Sequence, residues 1–171
     1  VWSSRGLGDV YKRQEIYSEL TFSKNFKSIS SYCPEKTIIS TGLSKWCGAG
    51  GWRLGYFIIP DELNDLKNMI NVLASETFSA VSAPIQYAAI KAYENDHSNY
   101  IAKSINILSA IGKYVFLNLK SNKVLINEPQ GAFYLMPEFL NNKFKTSSEM
   151  CKDILNNTCL LYTSDAADES C

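Results

Sequence analysis

The residues with the clearest chemical potential are Lys45 and Arg53, which lie eight positions apart on one glycine-rich stretch. Lys45 follows the apolar, β-branched run 37–41, a pattern typical of a buried strand, and three glycines separate it from Arg53. A lysine amine kept from bulk water can lose its proton and attack a carbonyl carbon. An arginine presents a rigid fork of donors that suits a phosphate, and glycines let the backbone approach a bulky ligand. The stretch therefore predicts a site for a ligand that carries both a carbonyl group and a phosphate.

Ten positions of the stretch 42–55 resemble the lysine signature of the class I and II aminotransferases, the fold-type I pyridoxal-phosphate enzymes. They are Gly42, Leu43, Ser44, Lys45, Gly48, Ala49, Gly51, Arg53, Leu54 and Gly55. A P-loop fits less well, because its lysine follows the last glycine and precedes a Ser or Thr. A dinucleotide fingerprint needs a Gly or Ala where Arg53 stands, followed by a helix. A turn lysine without function is the remaining alternative.

The resemblance implies that Lys45 is the catalytic residue and forms a Schiff base with pyridoxal 5'-phosphate. It also implies that Arg53 binds the phosphate of this cofactor. The family often has a serine or threonine three positions before the lysine, but this chain has Gly42 there. We therefore expect Arg53, Ser44 or backbone amides to bind more of the phosphate.

Two aromatic residues outside the stretch are implied in the same way. Glu15-Ile16-Tyr17 resembles the end of the family's Asp-Glu-Ile-Tyr motif, whose tyrosine donates a hydrogen bond to the phenolic oxygen of the cofactor. Gln14 stands where the motif has the aspartate that keeps the pyridine nitrogen protonated. The segment 129–135 resembles the one that brings an aromatic side chain to the substrate, which makes Phe133 the candidate substrate-binding residue. Local sequence alone explains Tyr17 and Phe133 equally well as packed aromatics.

Both ends of the chain, 1–14 and 159–171, resemble peptides translated from sequencing-adapter DNA, and ordinary polar termini are the alternative. On this interpretation Gln14 is not native, and residues 15–158 are a piece of a longer protein. Residues 15–96 then belong to the large cofactor-binding α/β domain, and residues 97–158 to the small C-terminal domain. We expect the piece by itself to be inactive, because the aspartate and several strands of the large sheet are missing.

The composition excludes several classes of protein. The chain is 46% hydrophobic and 20% charged with zero formal net charge, so it has no excess of basic residues for nucleic acid, and no apolar run approaches the ~18 residues of a membrane span. Cys33, Cys47 and Cys151 form no C-x-x-C pair, and we expect reduced thiols in a cytoplasmic protein. The single histidine, His97, lies in a polar run, where we expect a solvated loop and no metal site.

Hydrophobic periodicity and turn residues predict an alternating order of strands and helices. The predicted elements are a strand end and loop at 16–22, strands at 37–41 and 52–59, a helix capped by Asp61 and running to about 74, a helix starting at Pro84, a long helix at about 98–119, strands at 123–126 and 132–136, and a last helix at about 147–156. This order fits an α/β fold, namely the C-terminal part of the large domain of a fold-type I enzyme and the start of the small α+β domain.

The function implied by the resemblance is transfer of an amino group between an amino acid and a 2-oxo acid, by a homodimer when the protein is complete. Two alternatives stay open. Carbon–sulfur lyases and aminocyclopropane-carboxylate synthase-like enzymes share the signature and diverge later in the reaction. A non-catalytic phosphate-binding or dimerisation module could keep the fold without the chemistry.

Overall fold

The computed structural model of the chain describes residues 10–23, 25–140 and 143–158. Of the two ends predicted to be non-native, residues 1–9 and 159–171 lie outside this described part. The chain divides into two compact units: the first runs to Asn118 and includes Glu128–Leu135, and the second contains Leu119–Asn127 and the residues from Met136 onward. The predicted domain boundary at residues 96 and 97 stays a prediction.

A three-stranded sheet lies in the first unit, formed by β1 (Tyr11–Gln14), β2 (Thr37–Gly42) and β3 (Gly55–Ile58). The central strand is β2, whose β-branched residues were predicted to form a strand, and this prediction is confirmed. It pairs in parallel with β1 and antiparallel with β3, which places Gly42 directly opposite Gly55. The loop 43–54 therefore connects the adjacent ends of β2 and β3.

Two predicted strands differ from the observed ones in position or length. The observed strand β3 is shorter than the predicted strand 52–59. Residues Gly50–Trp52 form a turn of 3-10 helix, and Arg53 adopts the left-handed conformation with φ 56°. Of the strand end and loop predicted at 16–22, the loop is confirmed and contains a 3-10 turn at Ser18–Leu20, whereas the strand ends earlier, at Gln14 of β1. Local propensity alone did not locate either boundary.

The helices of the first unit are α1 (Asn64–Thr77), α2 (Ala83–Glu94) and α3 (Ser98–Leu119), which confirms all three predicted helices. Pro84 lies in the first turn of α2, where its missing N–H costs nothing. Asp61 does not cap α1 as predicted, because a 3-10 turn at Asp61–Leu63 comes first. No helix in the described part of the chain is long and apolar enough to cross a membrane.

The second unit contains a short antiparallel pair, β4 (Val124–Leu125) and β5 (Glu138–Phe139), and the helix α4 (Ser147–Thr158). The predicted strand at 132–136 is wrong. Ala132 has φ 54°, a left-handed conformation that interrupts an extended chain, and the pairing partner of β4 is found at Glu138–Phe139 instead. The apolar run 132–136 predicts a strand, but hydrophobic pattern alone does not reveal such a bend.

The buried core of the first unit surrounds the loop 43–54. Leu43, Trp46, Leu54 and Ala89 form one apolar cluster, so three of its four members come from the loop and the fourth from α2. The Trp46 side chain is 7% exposed and packs against the ring of Tyr93 at a centroid distance of 5.4 Å. Burial of these side chains fixes the position of the loop on the helices behind it.

Replacing Trp46 with Ala should destabilise the complete gene product by about 3–5 kcal/mol, the usual cost of deleting a large buried aromatic side chain. Trp52, on the same loop, is 62% exposed and supplies the matched control, because Trp52→Ala should change stability by about 0.5 kcal/mol or less. Denaturant unfolding of both variants measures the difference. Equal destabilisation by the two substitutions would contradict the placement of Trp46 in the core.

Candidate active site

The loop that carries Lys45 is closed by backbone hydrogen bonds at its base. The Leu43 N–H donates to the Leu54 carbonyl at 3.4 Å, and the Ala49 N–H donates to the Leu43 carbonyl at 3.2 Å. Inside this closure the Gly48 N–H donates to the Lys45 carbonyl at 3.2 Å, and Gly48 itself has φ 66°, which favours glycine. The loop thus holds Lys45 on a tight turn between two buried side chains, Leu43 and Trp46.

The amine of Lys45 lies against two aromatic rings. Its Nζ is 5.1 Å from the ring centroid of Phe133 and 5.5 Å from that of Tyr17, both within the range of cation–π attraction. Within the described residues the amine has no hydrogen bond and no ion pair. Because no carboxylate occupies the amine, it is available to a ligand that enters beside the two rings.

Tyr17, Phe133 and Tyr134 form an aromatic cluster around this amine. The ring of Tyr17 contacts Phe133 and Tyr134 edge-on, at centroid distances of 5.5 Å in both cases. The hydroxyl oxygens of Tyr17 and Tyr134 are 2.6 Å apart and share a hydrogen bond. Burial, followed by the hydrogen bond with Tyr134, raises the pKa of Tyr17 above its ordinary value. Tyr17 therefore stays protonated, and able to donate, through the neutral pH range.

Backbone hydrogen bonds bring the segment 129–134 to Tyr17 across more than a hundred residues of chain. The Phe22 N–H donates to the Gln130 carbonyl at 2.9 Å, and the Ala132 N–H donates to the Leu20 carbonyl at 2.8 Å. Thr21 and Gly131 form an isolated β-bridge between these two bonds. A side chain on Gly131 would meet the Leu20 carbonyl at 2.9 Å, so glycine permits this close approach.

Arg53 and Ser44, the predicted phosphate ligands, lie on the same loop as Lys45. The exposed Arg53 guanidinium donates from Nη1 to the Gly50 carbonyl at 2.9 Å and has no acidic partner among the described residues. The half-buried Ser44 hydroxyl makes no hydrogen bond within the described part of the chain. Thus the structure brings Lys45, Tyr17 and Phe133 into direct contact, whereas Arg53 and Ser44 only share the loop 43–54 with Lys45.

Two features differ from expectation or were missed. His97 is half-buried, packs against Trp46 at a centroid distance of 5.7 Å, and has a buried Nε2 without a partner in the described residues, so the predicted solvated histidine is wrong. It lines a cavity of about 750 Å³ that does not include Lys45, Tyr17 or Arg53. Tyr134 was not singled out from the sequence, although its position directly after Phe133 was the available signal.

The sequence pattern of the family described as "Aminotransferase class I and II" matches residues 14–166. An aspartate aminotransferase of Thermotoga maritima is 32% identical over 123 residues, which cover 71% of this chain and 31% of that protein. A (5-formylfuran-3-yl)methyl phosphate transaminase of Methanocaldococcus jannaschii is 33% identical over 132 residues, covering 76% of this chain and 32% of that protein. The chain thus spans about a third of the length of these curated relatives.

Among solved structures, an alanine aminotransferase of Pyrococcus furiosus superimposes with a TM-score of 0.76 at 29% identity, covering 86% of this chain and 38% of that one. The chain therefore belongs to the class I and II aminotransferase family and has part of the fold-type I α/β fold. The resemblance of the stretch 42–55 had implied both the family and the fold, and both are confirmed.

Gly42 gives a direct test of the loop closure. A Cβ atom at this position would lie 2.5 Å from the Leu54 carbonyl oxygen and 3.0 Å from the Gly55 Cα, and neither backbone atom can move without opening the loop. Gly42→Ala should therefore destabilise the complete gene product by about 1–3 kcal/mol. Gly51 is the matched control, because a Cβ there meets nothing within 4 Å and Gly51→Ala should leave stability unchanged or slightly higher. Thermal unfolding that fails to separate the two variants would contradict the close approach at Gly42.

Proposed function

We propose that the whole protein is a pyridoxal-phosphate-dependent aminotransferase that moves an amino group between an amino acid and a 2-oxo acid. The observation that carries this proposal is the Lys45 amine, which lies beside the rings of Tyr17 and Phe133 with no competing ion pair among the described residues. A carboxylate partner would occupy the amine. Its environment here leaves it available for attack on a carbonyl carbon.

The donors of the described residues fit pyridoxal phosphate. The cofactor needs an amine for its aldehyde, a hydroxyl donor for its phenolic oxygen and cationic or hydroxyl donors for its phosphate. Lys45, Tyr17, and the pair Arg53 and Ser44 supply these groups, and Arg53 has no acidic partner in the described residues that would neutralise it. Gly51 lies two positions before Arg53. A Cβ atom added to Gly51 would meet no atom within 4 Å, which leaves room for a phosphate.

Each residue has a proposed role in the reaction. When bound, the cofactor supplies an aromatic ring that accepts the electron pair left at the substrate α-carbon. Lys45 attaches the cofactor and later acts as the general base and then the general acid, carrying the α-proton on Nζ. Tyr17 donates its hydroxyl hydrogen to the phenolic oxygen. Arg53 and Ser44 orient the phosphate, and Phe133 packs against the substrate.

Gln14 departs from the family motif in a way that affects this chemistry. It lies at the end of β1, paired with Ser40, and its side chain is exposed. A glutamine is neutral and cannot stabilise a protonated pyridine nitrogen, whereas an aspartate can. We therefore propose an aspartate at this position in the whole protein, and the complete gene sequence tests it directly.

The proposal includes a substrate class, an assembly and a location in the cell. The relatives are named for different substrates, among them aspartate and alanine, so we propose an amino acid with a 2-oxo acid acceptor as the class. We propose a homodimer, supported by exposed apolar side chains on α1 such as Met69, Val72 and Leu73. A cytoplasmic location agrees with the free thiols of Cys33, Cys47 and Cys151.

Replacing Lys45 with Ala should reduce the turnover of the complete gene product by at least ~10²-fold, because both the general base and the covalent attachment are lost. The visible absorbance of the lysine-bound cofactor should also disappear. Lys67 is exposed on α1, so Lys67→Ala is the matched control and should retain both the turnover and the visible absorbance. Steady-state rates with a 2-oxo acid acceptor measure the loss and separate transamination from carbon–sulfur lysis. Borohydride reduction followed by peptide mapping should label Lys45, and a label at another lysine would contradict the proposal.

The role of Arg53 is testable with two ligands that differ only in the phosphate. Arg53→Ala should weaken the binding of pyridoxal 5'-phosphate to the cofactor-free protein about tenfold, since a charge-assisted hydrogen bond contributes ~1.5–3 kcal/mol and the exposed position screens part of it. Pyridoxal, which lacks the phosphate, should bind both proteins equally. Equilibrium dialysis gives both dissociation constants. A similar loss for the two ligands would mean that Arg53 stabilises the loop instead.

A further inference from the structure

Tyr134 contacts the site but has no part in the function as proposed above. Its hydroxyl oxygen is 2.6 Å from that of Tyr17, and its ring meets the ring of Tyr17 edge-on at an interplanar angle of 83°. The ring centroids of Tyr134 and Phe133 are 4.8 Å apart. The Tyr134 side chain is 56% exposed, so burial of the ring does not account for its position. The short contact with Tyr17 is its main interaction within the described residues.

The backbone of the segment explains how two consecutive aromatic residues reach the same partner. In an extended strand, neighbouring side chains point to opposite faces, so only one of Phe133 and Tyr134 could contact Tyr17. Ala132 has φ 54° and the segment is not a strand, which lets both rings pack on Tyr17. The left-handed conformation costs free energy in a residue other than glycine, and the hydrogen bond from the Ala132 N–H to the Leu20 carbonyl holds it.

A count of hydrogens shows what the pair of hydroxyls can do. Each hydroxyl has one hydrogen and two acceptor lone pairs, and the pair uses one of its two hydrogens. Either oxygen can be the donor. When Tyr134 donates to Tyr17, the hydrogen of Tyr17 stays free, and its direction is restricted by the occupied lone pair. Neither hydroxyl has another hydrogen-bond partner in the part of the chain that the structure describes.

We propose that Tyr134 is a positioning residue, which donates its hydroxyl hydrogen to Tyr17 and thereby directs the Tyr17 hydrogen toward the phenolic oxygen of a bound cofactor. This inference rests on the proposed function, because it needs Tyr17 to contact that oxygen. The hydrogen bond from Tyr134 also polarises the Tyr17 hydroxyl and makes it a stronger donor. In the cofactor-free protein the hydrogen of Tyr17 can instead go to Tyr134, and this reversed bond, after burial, raises the pKa of Tyr17.

The experiment compares four variants of the complete gene product: Tyr134→Phe, Tyr17→Phe, the double variant, and Tyr114→Phe as the control. Phenylalanine keeps each ring and removes only the hydroxyl. Tyr114 is 69% exposed on α3 and lies outside the cluster. The first readout is the pH at which the visible spectrum of the bound cofactor changes. The second, in cofactor-free protein, is the pH at which Tyr17 ionises, followed by NMR of tyrosine labelled with ¹³C at Cζ.

Tyr134→Phe should raise the pH of the spectral change by on the order of half a unit, because a weaker hydrogen bond from Tyr17 leaves the phenolic oxygen more basic. Tyr17→Phe should raise it further, and the double variant should match Tyr17→Phe because Tyr134 acts through Tyr17. In the cofactor-free protein, where Tyr17 donates to Tyr134, Tyr134→Phe removes the acceptor and should lower the pH at which Tyr17 ionises. Tyr114→Phe should change neither value.

The outcomes distinguish this inference from the function on which it rests. If Tyr17→Phe shifts the spectral change and Tyr134→Phe does not, the positioning role is wrong while the proposed function stands. A double variant whose shift is the sum of the two single shifts also overturns it, because Tyr134 would then act independently. If Tyr17→Phe itself leaves the spectral change in place, the assigned role of Tyr17 fails and the inference fails with it. Circular dichroism confirms that each variant is folded.

Discussion

Closure of the loop 43–54 between the adjacent ends of β2 and β3 is the constraint on which the site depends. Because β2 and β3 are antiparallel neighbours, the loop begins and ends at the paired glycines Gly42 and Gly55. The burial of Leu43, Trp46 and Leu54 then fixes the loop from inside. A flexible loop would let a lysine side chain move over several ångströms, whereas this one is fixed by packing and by backbone hydrogen bonds.

The aromatic cluster connects this rigid loop to two other parts of the chain. Tyr17 follows the strand β1, and Phe133 and Tyr134 lie on an irregular segment that is bonded to residues Leu20 and Phe22. The rings of Tyr17 and Phe133 lie beside the Lys45 amine, which has no charged partner among the described residues. The site thus combines an amine, a protonated hydroxyl and apolar rings, a set suited to a flat, polar aromatic ligand.

Prediction from the sequence succeeded where periodicity was long and failed where single backbone angles decided the outcome. The helix α3 was located correctly because its apolar positions repeat over 22 residues. The strand expected at 132–136 was wrong because Ala132 turns the chain, and the strand expected at 52–59 was too long because Arg53 does the same. The positive φ of Ala132 is held by a hydrogen bond to the distant Leu20 carbonyl, which no local pattern encodes.

The sequence by itself indicated the class of protein, because ten positions of the stretch 42–55 resemble the lysine signature of the class I and II aminotransferases. It also named Tyr17 and Phe133 as candidates, although local sequence left core packing as an equal explanation. Only the tertiary structure showed that the two rings meet at the Lys45 amine and that Tyr134 joins them. The physical reason is that contacts between residues separated by more than a hundred positions arise from backbone pairing and burial, which depend on the fold as a whole.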